Sequence, residues 1–275
     1  MDLKLVDFTY LYVPGNKLDF IEKGLQKGAE KIIIDLEDSI PLHLKKETLM
    51  NVSNYLKHSP STDCFVRLNS EKKLQEDELI ELSKIGHKNI LIPKIEFDSF
   101  IVNSELKSNF EQIFILVETA TGLFNLKNIS KLLPFNRIAI GEVDFSADLG
   151  IDENNENLEF YRSKIVFMSK VLGLPKPIGG VFKNFNDAEG LKEFARNLKS
   201  MGFGALQLIH PNQIIEVKNI FYPTIEEITN AKNLLKNLVD NQKNGIGVYV
   251  DENGNIVDAA MIKKAKELAN FNENR

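Results

Sequence analysis

The chain has 275 residues, of which 43% are hydrophobic and 27% charged, and a formal net charge of −5. This is the composition of an ordinary globular protein long enough to bury a sizeable core, and its interspersed lysines and acids leave no basic face for nucleic acid. No apolar run approaches the roughly 20 residues of a membrane span, MDLKLVDFTY lacks the pattern of a signal peptide, and one cysteine, Cys64, fits a reducing cytoplasm.

In chain order, the first strand is expected at 8–14 (FTYLYVP), followed by a helical stretch, KLDFIEKGLQKG. Further strands are expected at 31–38 (KIIIDLED), 64–69 (CFVRLN), 89–94 (NILIPK) and 112–119 (QIFILVET). The series closes with 137–144 (RIAIGEVD), 177–182 (PIGGVF) and 205–211 (ALQLIHP). Amphipathic stretches lie between them, among them ELIELSKIG, NLEFYRSKIVFMSKVLG, DAEGLKEFARNLKSMG and TIEEITNAKNLLKNLV. Asp187 and Thr224 are placed as N-caps, and Gly28, Gly86, Gly173 and Gly202 as stops.

Strands that read as unbroken apolar runs are buried on both faces, the mark of a parallel sheet. Eight such strands alternating with helices predict an α/β fold, a (β/α)8 TIM barrel. An open doubly wound sheet is the rival, but GxGxxG is missing after the first strand. The barrel is assigned to residues 1–244, and 245–275 to a C-terminal lid or oligomerisation segment.

Active sites of such barrels sit where the strands end. Here those ends carry Asp35, Glu37, Asp38, Arg67, Asn69, Lys94, Glu118, Asp144 and His210. Glu118 and Asp144 end adjacent strands, and two bare carboxylates so placed would repel unless a cation sits between them. Mg2+ typically takes one or two carboxylates and keeps exchangeable waters; the other reading makes each acid a helix cap. Arg67 can bind a carboxylate with its planar fork, or pair with the acids of the second strand. Lys94 suits a Schiff base, or an electrostatic role or ion pair beside a metal. Asp35, Glu37 and Asp38 orient Arg67 and Lys94 or add metal ligands. His210 is a general acid or a hydrogen-bonded turn residue. No HxH or HExxH spacing exists for a zinc hydrolase.

The segments LYVPGN, IIIDLEDSIP, VRLNS, LIPKIE, VETATGL, IGEVDFSADLG, GFGALQLIHPNQI and NGNIVDAAMIKKA run in order across nearly the whole chain. Through them the sequence resembles the HpcH/HpaI aldolase/citrate lyase family, in its citrate lyase β-chain-like branch. The resemblance implies a (β/α)8 barrel, Mg2+ (or Mn2+) and a homo-oligomer, often a trimer. It also implies a carbon–carbon lyase that cleaves or forms a 3-hydroxyacyl thioester, such as a citryl-, malyl- or citramalyl-CoA-like compound. By position, Glu118 and Asp144 match the metal ligands and Arg67 a catalytic, substrate-binding residue. Glu118 adjoins the same substrate, and Asp258 matches a catalytic acid or base delivered from a neighbouring subunit's lid. An acyl-carrier protein or other subunits of a lyase complex are the further partners implied. The chain departs from the family pattern at Gly179, where an acid is common, and in KKETLMN, which lacks an arginine. Two rivals remain: a class II aldolase acting on free 2-oxo-3-deoxy acids, and a catalytically silent binding paralogue.

Overall fold

Isoleucine, leucine and valine runs shed water most completely when both faces of a strand are covered. A computed structural model of the chain describes residues 7–59, 63–96, 108–243, 249–250, 256–257 and 259–271. In it, β2 (Lys31–Asp35) is buried at all but its first position. The strands β3 (Cys64–Arg67), β4 (Asn89–Ile92), β6 (Arg137–Ile140) and β8 (Ala205–Leu208) are buried throughout. With β1 (Thr9–Pro14), β5 (Gln112–Val117) and β7 (Ile178–Gly179), they form a closed parallel barrel in the order β1 to β8, sealed by β1 pairing with β8. This is the expected (β/α)8 barrel.

The barrel interior is filled by side chains. Tyr10, Phe65 and Phe114 interlock there with Ile33, Leu91, Leu116 and Ile178, and Ala139 and Ala205 leave room for the rings. Gly179 belongs to the same economy of space, since a Cβ there would stand 2.6 Å from Leu206 Cδ2 and 2.7 Å from Leu198 Cδ1. An acid at 179 has no room in this packing.

Outside lie α1 (Asp19–Gln26), α2 (Lys45–His58), α3 (Lys72–Lys84), α4 (Ala120–Leu132), α5 (Glu142–Leu149), α6 (Asn155–Val171), α7 (Ala188–Met201) and α8 (Ile214–Phe221). The expected punctuation is present. Asp187 accepts a hydrogen bond from the Gly190 N–H, and Gly28, Gly86, Gly173 and Gly202 all have positive φ at helix ends.

Residues 7–221 form one compact unit, and the chain from Tyr222 onward belongs to a second. In the second unit, α9 (Ile225–Lys243) begins with a reciprocal Thr224–Glu227 cap and packs against α10 (Ala259–Ala269). Two short strands, β9 (Tyr249–Val250) and β10 (Ile256–Val257), pair antiparallel; DENGN, between them in sequence, lies outside the described residues. Ala265 is buried, while Met261, Ile262 and Leu268 are half-buried. The apolar stripe of α10 therefore has cover within its own unit. Among the described residues no helix is long and apolar enough to cross a membrane.

Candidate active site

Every expected strand except the first runs on in the sequence past the point where it ends in the structure, and most of the polar residues there lie beyond the strands. Asp35 is the last residue of β2 and faces Arg67, the last of β3, in register. Its carboxylate accepts from Arg67 Nε at 2.7 Å and from the N–H groups of Glu37 and Ser39. Burial pushes the Asp35 carboxyl up, but the guanidinium and these donors outweigh it and hold the group below the usual carboxylate range. Arg67 Nη1 also stands 3.0 Å from Asp38 and 3.4 Å from Glu37, and the guanidinium lies 5.0 Å from the Tyr12 ring centroid. The ion pair with the second-strand acids is therefore real.

Glu37 is different. It is buried, and its carboxylate is held by the looser approach of Arg67 and Lys94 rather than by a hydrogen bond of full geometry among the described residues. Burial pushes its carboxyl up despite Arg67, and Asp38 adds to the rise.

Glu118 follows β5 directly and is 3% exposed. It is not a helix cap, because Thr119 caps α4 through the Gly122 N–H and the Ala120 N–H goes to Asp148. Gly141, just past β6, leaves room for it: a Cβ there would lie 2.5 Å from Glu118 Oε1. Burial, with Glu37 and Asp144 adding repulsion, pushes Glu118 up to about 8. Asp144 sits not on a strand end but in the first turn of α5, four residues beyond β6. Lys94, two residues beyond β4, bridges the acids. Its N–H donates to Glu118 Oε2 at 2.8 Å, and its Nζ is 3.4 Å from Asp144, 3.8 Å from Glu37 and 3.9 Å from Asp38.

The structure thus brings Asp35, Glu37, Asp38, Arg67, Lys94, Glu118 and Asp144 together on one rim. His210 is engaged elsewhere, capping the turn at 211–213 and stacking on Phe185. Asp258 lies outside the described residues. Among the described residues no group of three or more His, Cys, Asp or Glu makes a ready metal cage. The acid pocket is a two-carboxylate setting with a third carboxylate, Glu37, beside it.

Sequence reasoning missed Tyr12 and Gln207. The Tyr12 hydroxyl donates to Gln207 Oε1 at 2.8 Å, and Gln207 Nε2 donates to the carbonyls of Ile140 and Gly179. A glutamine inside the apolar run ALQL was the available signal. It missed Lys45 too, which donates from α2 to the carbonyls of Leu36 and Glu37. A cation therefore does rise from the helix of KKETLMN to fix the acid-bearing loop.

The HpcH/HpaI aldolase/citrate lyase family model matches residues 9–211. Mitochondrial citramalyl-CoA lyase of Homo sapiens is 30% identical over 283 residues, covering 93% of this chain and 82% of that protein. The chain belongs to the HpcH/HpaI aldolase/citrate lyase family. It is a carbon–carbon lyase of that family. Citrate lyase subunit beta of Leuconostoc mesenteroides is 27% identical, with 96% of this chain and 93% of that one covered. Among solved structures, CitE of Mycobacterium tuberculosis in complex with magnesium, acetoacetate and coenzyme A superposes with a TM-score of 0.81. The two are 24% identical over 98% of this chain and 100% of that one. The citrate lyase beta subunit of M. tuberculosis with oxaloacetate and magnesium gives 0.68 at 25% identity, covering 81% and 100%.

Proposed function

We propose that this lyase uses Mg2+ to cleave or form the carbon–carbon bond of a 3-hydroxyacyl thioester of the citryl-, malyl- or citramalyl-CoA type. The observation that carries the reading is the acid pocket, where Glu37, Glu118 and Asp144 gather around Lys94, the buried Glu37 carboxylate has no hydrogen bond of full geometry among the described residues, and Glu118 is pushed up to about 8. Among the described residues its acids outnumber the cations Arg67 and Lys94, and a hard divalent ion fits it. Glu118 and Asp144 would hold the ion, and related proteins are named as magnesium complexes.

When bound, the ion would supply Lewis-acid charge beside the carboxylate and hydroxyl oxygens of the substrate. Arg67, oriented by Asp35 and stacked on Tyr12, supports the carboxyl and carbonyl oxygens. In cleavage the hydroxyl proton would pass to the Asp258 carboxylate as the C–C bond breaks. Its electron pair passes to the thioester fragment, whose charge needs preorganised cations. Asp258 then protonates the carbon of that fragment. The reverse reaction is a Claisen-type condensation.

The segment 245–275 serves in this reading as a lid. We assign the reaction to a homo-oligomer in the cytoplasm, a compartment consistent with the lone buried Cys64. An exposed apolar groove of ≈ 360 Å³ between α4 and α6, flanked by Phe124 (79% exposed) and Phe160, supports self-association.

Calorimetry with Mg2+ tests the site. Binding by the wild type and its loss in Glu118→Gln plus Asp144→Asn is expected; equal affinity in both overturns the metal assignment. Assays with acetyl-CoA plus glyoxylate, and with pyruvate plus aldehydes, test the thioester chemistry, and turnover of the second pair alone would point to a class II aldolase.

A further inference from the structure

Five residues of the apolar barrel interior, Tyr10, Ile33, Phe65, Leu116 and Ala205, are followed two positions on by Tyr12, Asp35, Arg67, Glu118 and Gln207. Positions two apart share a face of a strand, so the second five form a polar layer on the apolar one, at the end of the barrel where the acids gather. Asp35, Arg67 and Glu118 are charged members of the site. Tyr12 and Gln207 are neutral, and their bonds show what they do.

Gln207 is 3% exposed and engages both ends of its amide. Its Oε1 accepts from the Tyr12 hydroxyl at 2.8 Å, and its Nε2 donates to the carbonyls of Ile140 and Gly179, each at 2.9 Å. Burial pushes the Tyr12 phenol well up despite Arg67, and Asp35, Glu118 and Glu37 add to the rise. The hydroxyl therefore keeps its proton and stays a donor to Gln207. Held at its tip, the ring meets the Arg67 guanidinium 5.0 Å from its centroid. The N–H groups of a guanidinium lie in its plane, so the pairs with Asp35, Asp38 and Glu37 hold Arg67 through groups in that plane. A ring against the face resists tilting out of it.

The same pair reaches the other side of the site. The Ile140 carbonyl held by Gln207 precedes Gly141, where a Cβ would stand 2.5 Å from Glu118 Oε1. One chain of contacts thus runs from Arg67 over Tyr12 and Gln207 to the backbone that seats Glu118.

We infer that Tyr12 and Gln207 are positioning residues, a latch across the barrel that sets the Arg67 guanidinium against the Glu118 carboxylate. The inference rests on the reading above, in which Arg67 binds the carboxyl of the substrate and Glu118 the metal. It names the two neutral side chains that keep those charges in register.

Arginine 15Nε spectra of the intact protein test the latch without substrate. The chain has five arginines, and the Arg67 resonance is identified by its absence in Arg67→Lys. Losing the ring current should move the Arg67 Nε–H proton downfield in Tyr12→Leu, and unlatching the ring should move it in Gln207→Met. An unmoved resonance in either variant overturns the proposal. In case Tyr12→Leu does not fold, Tyr12→Phe, which loses only the hydroxyl, takes its place beside Gln207→Met under the same criterion. Calorimetry with pyruvate at saturating Mg2+ supplies a double-mutant cycle. Tyr12→Leu should weaken pyruvate binding by about 5- to 30-fold, the upper range of a cation–π contact. In an Arg67→Lys background the same change should cost less than about twofold. Equal losses in both backgrounds make Tyr12 merely structural and overturn the proposal. Wild type that binds no pyruvate, or Arg67→Lys that binds it as well as wild type, refutes the substrate reading of Arg67 instead, and the spectra then decide the latch.

Discussion

At the scale of single residues, the rim separates groups that are satisfied from groups that wait. Arg67 spends Nε on Asp35 and Nη1 on Asp38 and Glu37, and its flat face lies on Tyr12. A lysine keeps the charge but loses the fork and the stacking. Arg67→Lys should therefore lower kcat/KM by about 10- to 150-fold, equivalent to ~1.5–3 kcal/mol for a charged hydrogen bond. Its far-ultraviolet circular dichroism should stay that of the barrel, and unchanged turnover would return Arg67 to a purely structural role. Behind it, Glu78 accepts from the Asn69 backbone at 2.8 Å and from the Asn69 amide, and burial pushes it up to about 7. The sign follows from proton linkage. The unfolded chain releases this proton near its ordinary value of 4.5, while the folded chain holds it to about 7. Stability due to Glu78 is thus complete below 4.5 and falls as pH rises to 7, by an amount on the order of 3 kcal/mol. Urea unfolding of wild type and Glu78→Gln from pH 4 to 8 should show the variant gaining on wild type across that window. A constant difference would place the titration elsewhere.

At the scale of elements, α5 and α6 are joined by a buried pair. Glu142, in the first turn of α5, accepts two hydrogen bonds from Arg162 of α6, from Nε at 2.8 Å and Nη2 at 2.7 Å. Gly180 is matched to it, since a Cβ there would lie 2.8 Å from the Glu142 carboxyl carbon. Because Asp144 shares that first turn, the pair also fixes where the proposed metal ligand stands. Arg162→Leu should cost about 3–5 kcal/mol in urea unfolding by stranding a buried carboxylate, and Glu142→Leu in the same chain should recover much of it. No recovery would mean that packing against Phe194, not charge, is what Arg162 supplies. Neither residue was singled out from sequence, because an Arg and a Glu 20 positions apart on two helices carry no local pattern. The eight strands were legible because apolar runs signal burial on both faces. Their ends were not, because the strand signal gives no mark of where pairing stops: in IGEVD it stops at Ile140, and the chain turns into a helix with Val143 still apolar between the acids. That is why Asp144 was expected on a strand and lies on a helix. The cluster itself was readable, since charged residues at apolar strand ends need a reason to be there.

At the scale of the whole molecule, the chain divides into a barrel unit and a C-terminal unit. Asp258 lies outside the described residues, between β10 and α10 in sequence. The rim gathers acids and cations around Glu118, and among the residues of that cluster Glu118, pushed up to about 8, is the nearest to a neutral proton carrier. If it is committed to the metal, an acid for the carbon must come from outside the cluster. A segment beyond the closed barrel is suited to deliver one, because an arm that closes late excludes water from the reacting fragment. Whether that arm serves its own barrel or a neighbour's is decided by mixing two inactive proteins, Glu118→Gln and Asp258→Asn, under conditions of demonstrated subunit exchange. We expect activity to return in part, because a shared site in a mixed oligomer can combine the intact Glu118 of one chain with the intact Asp258 of another. Each mutant alone offers no such combination. Activity that stays at the level of the separate mutants would confine Asp258 to its own chain or remove it from the chemistry, and the activity of Asp258→Asn alone separates those two outcomes.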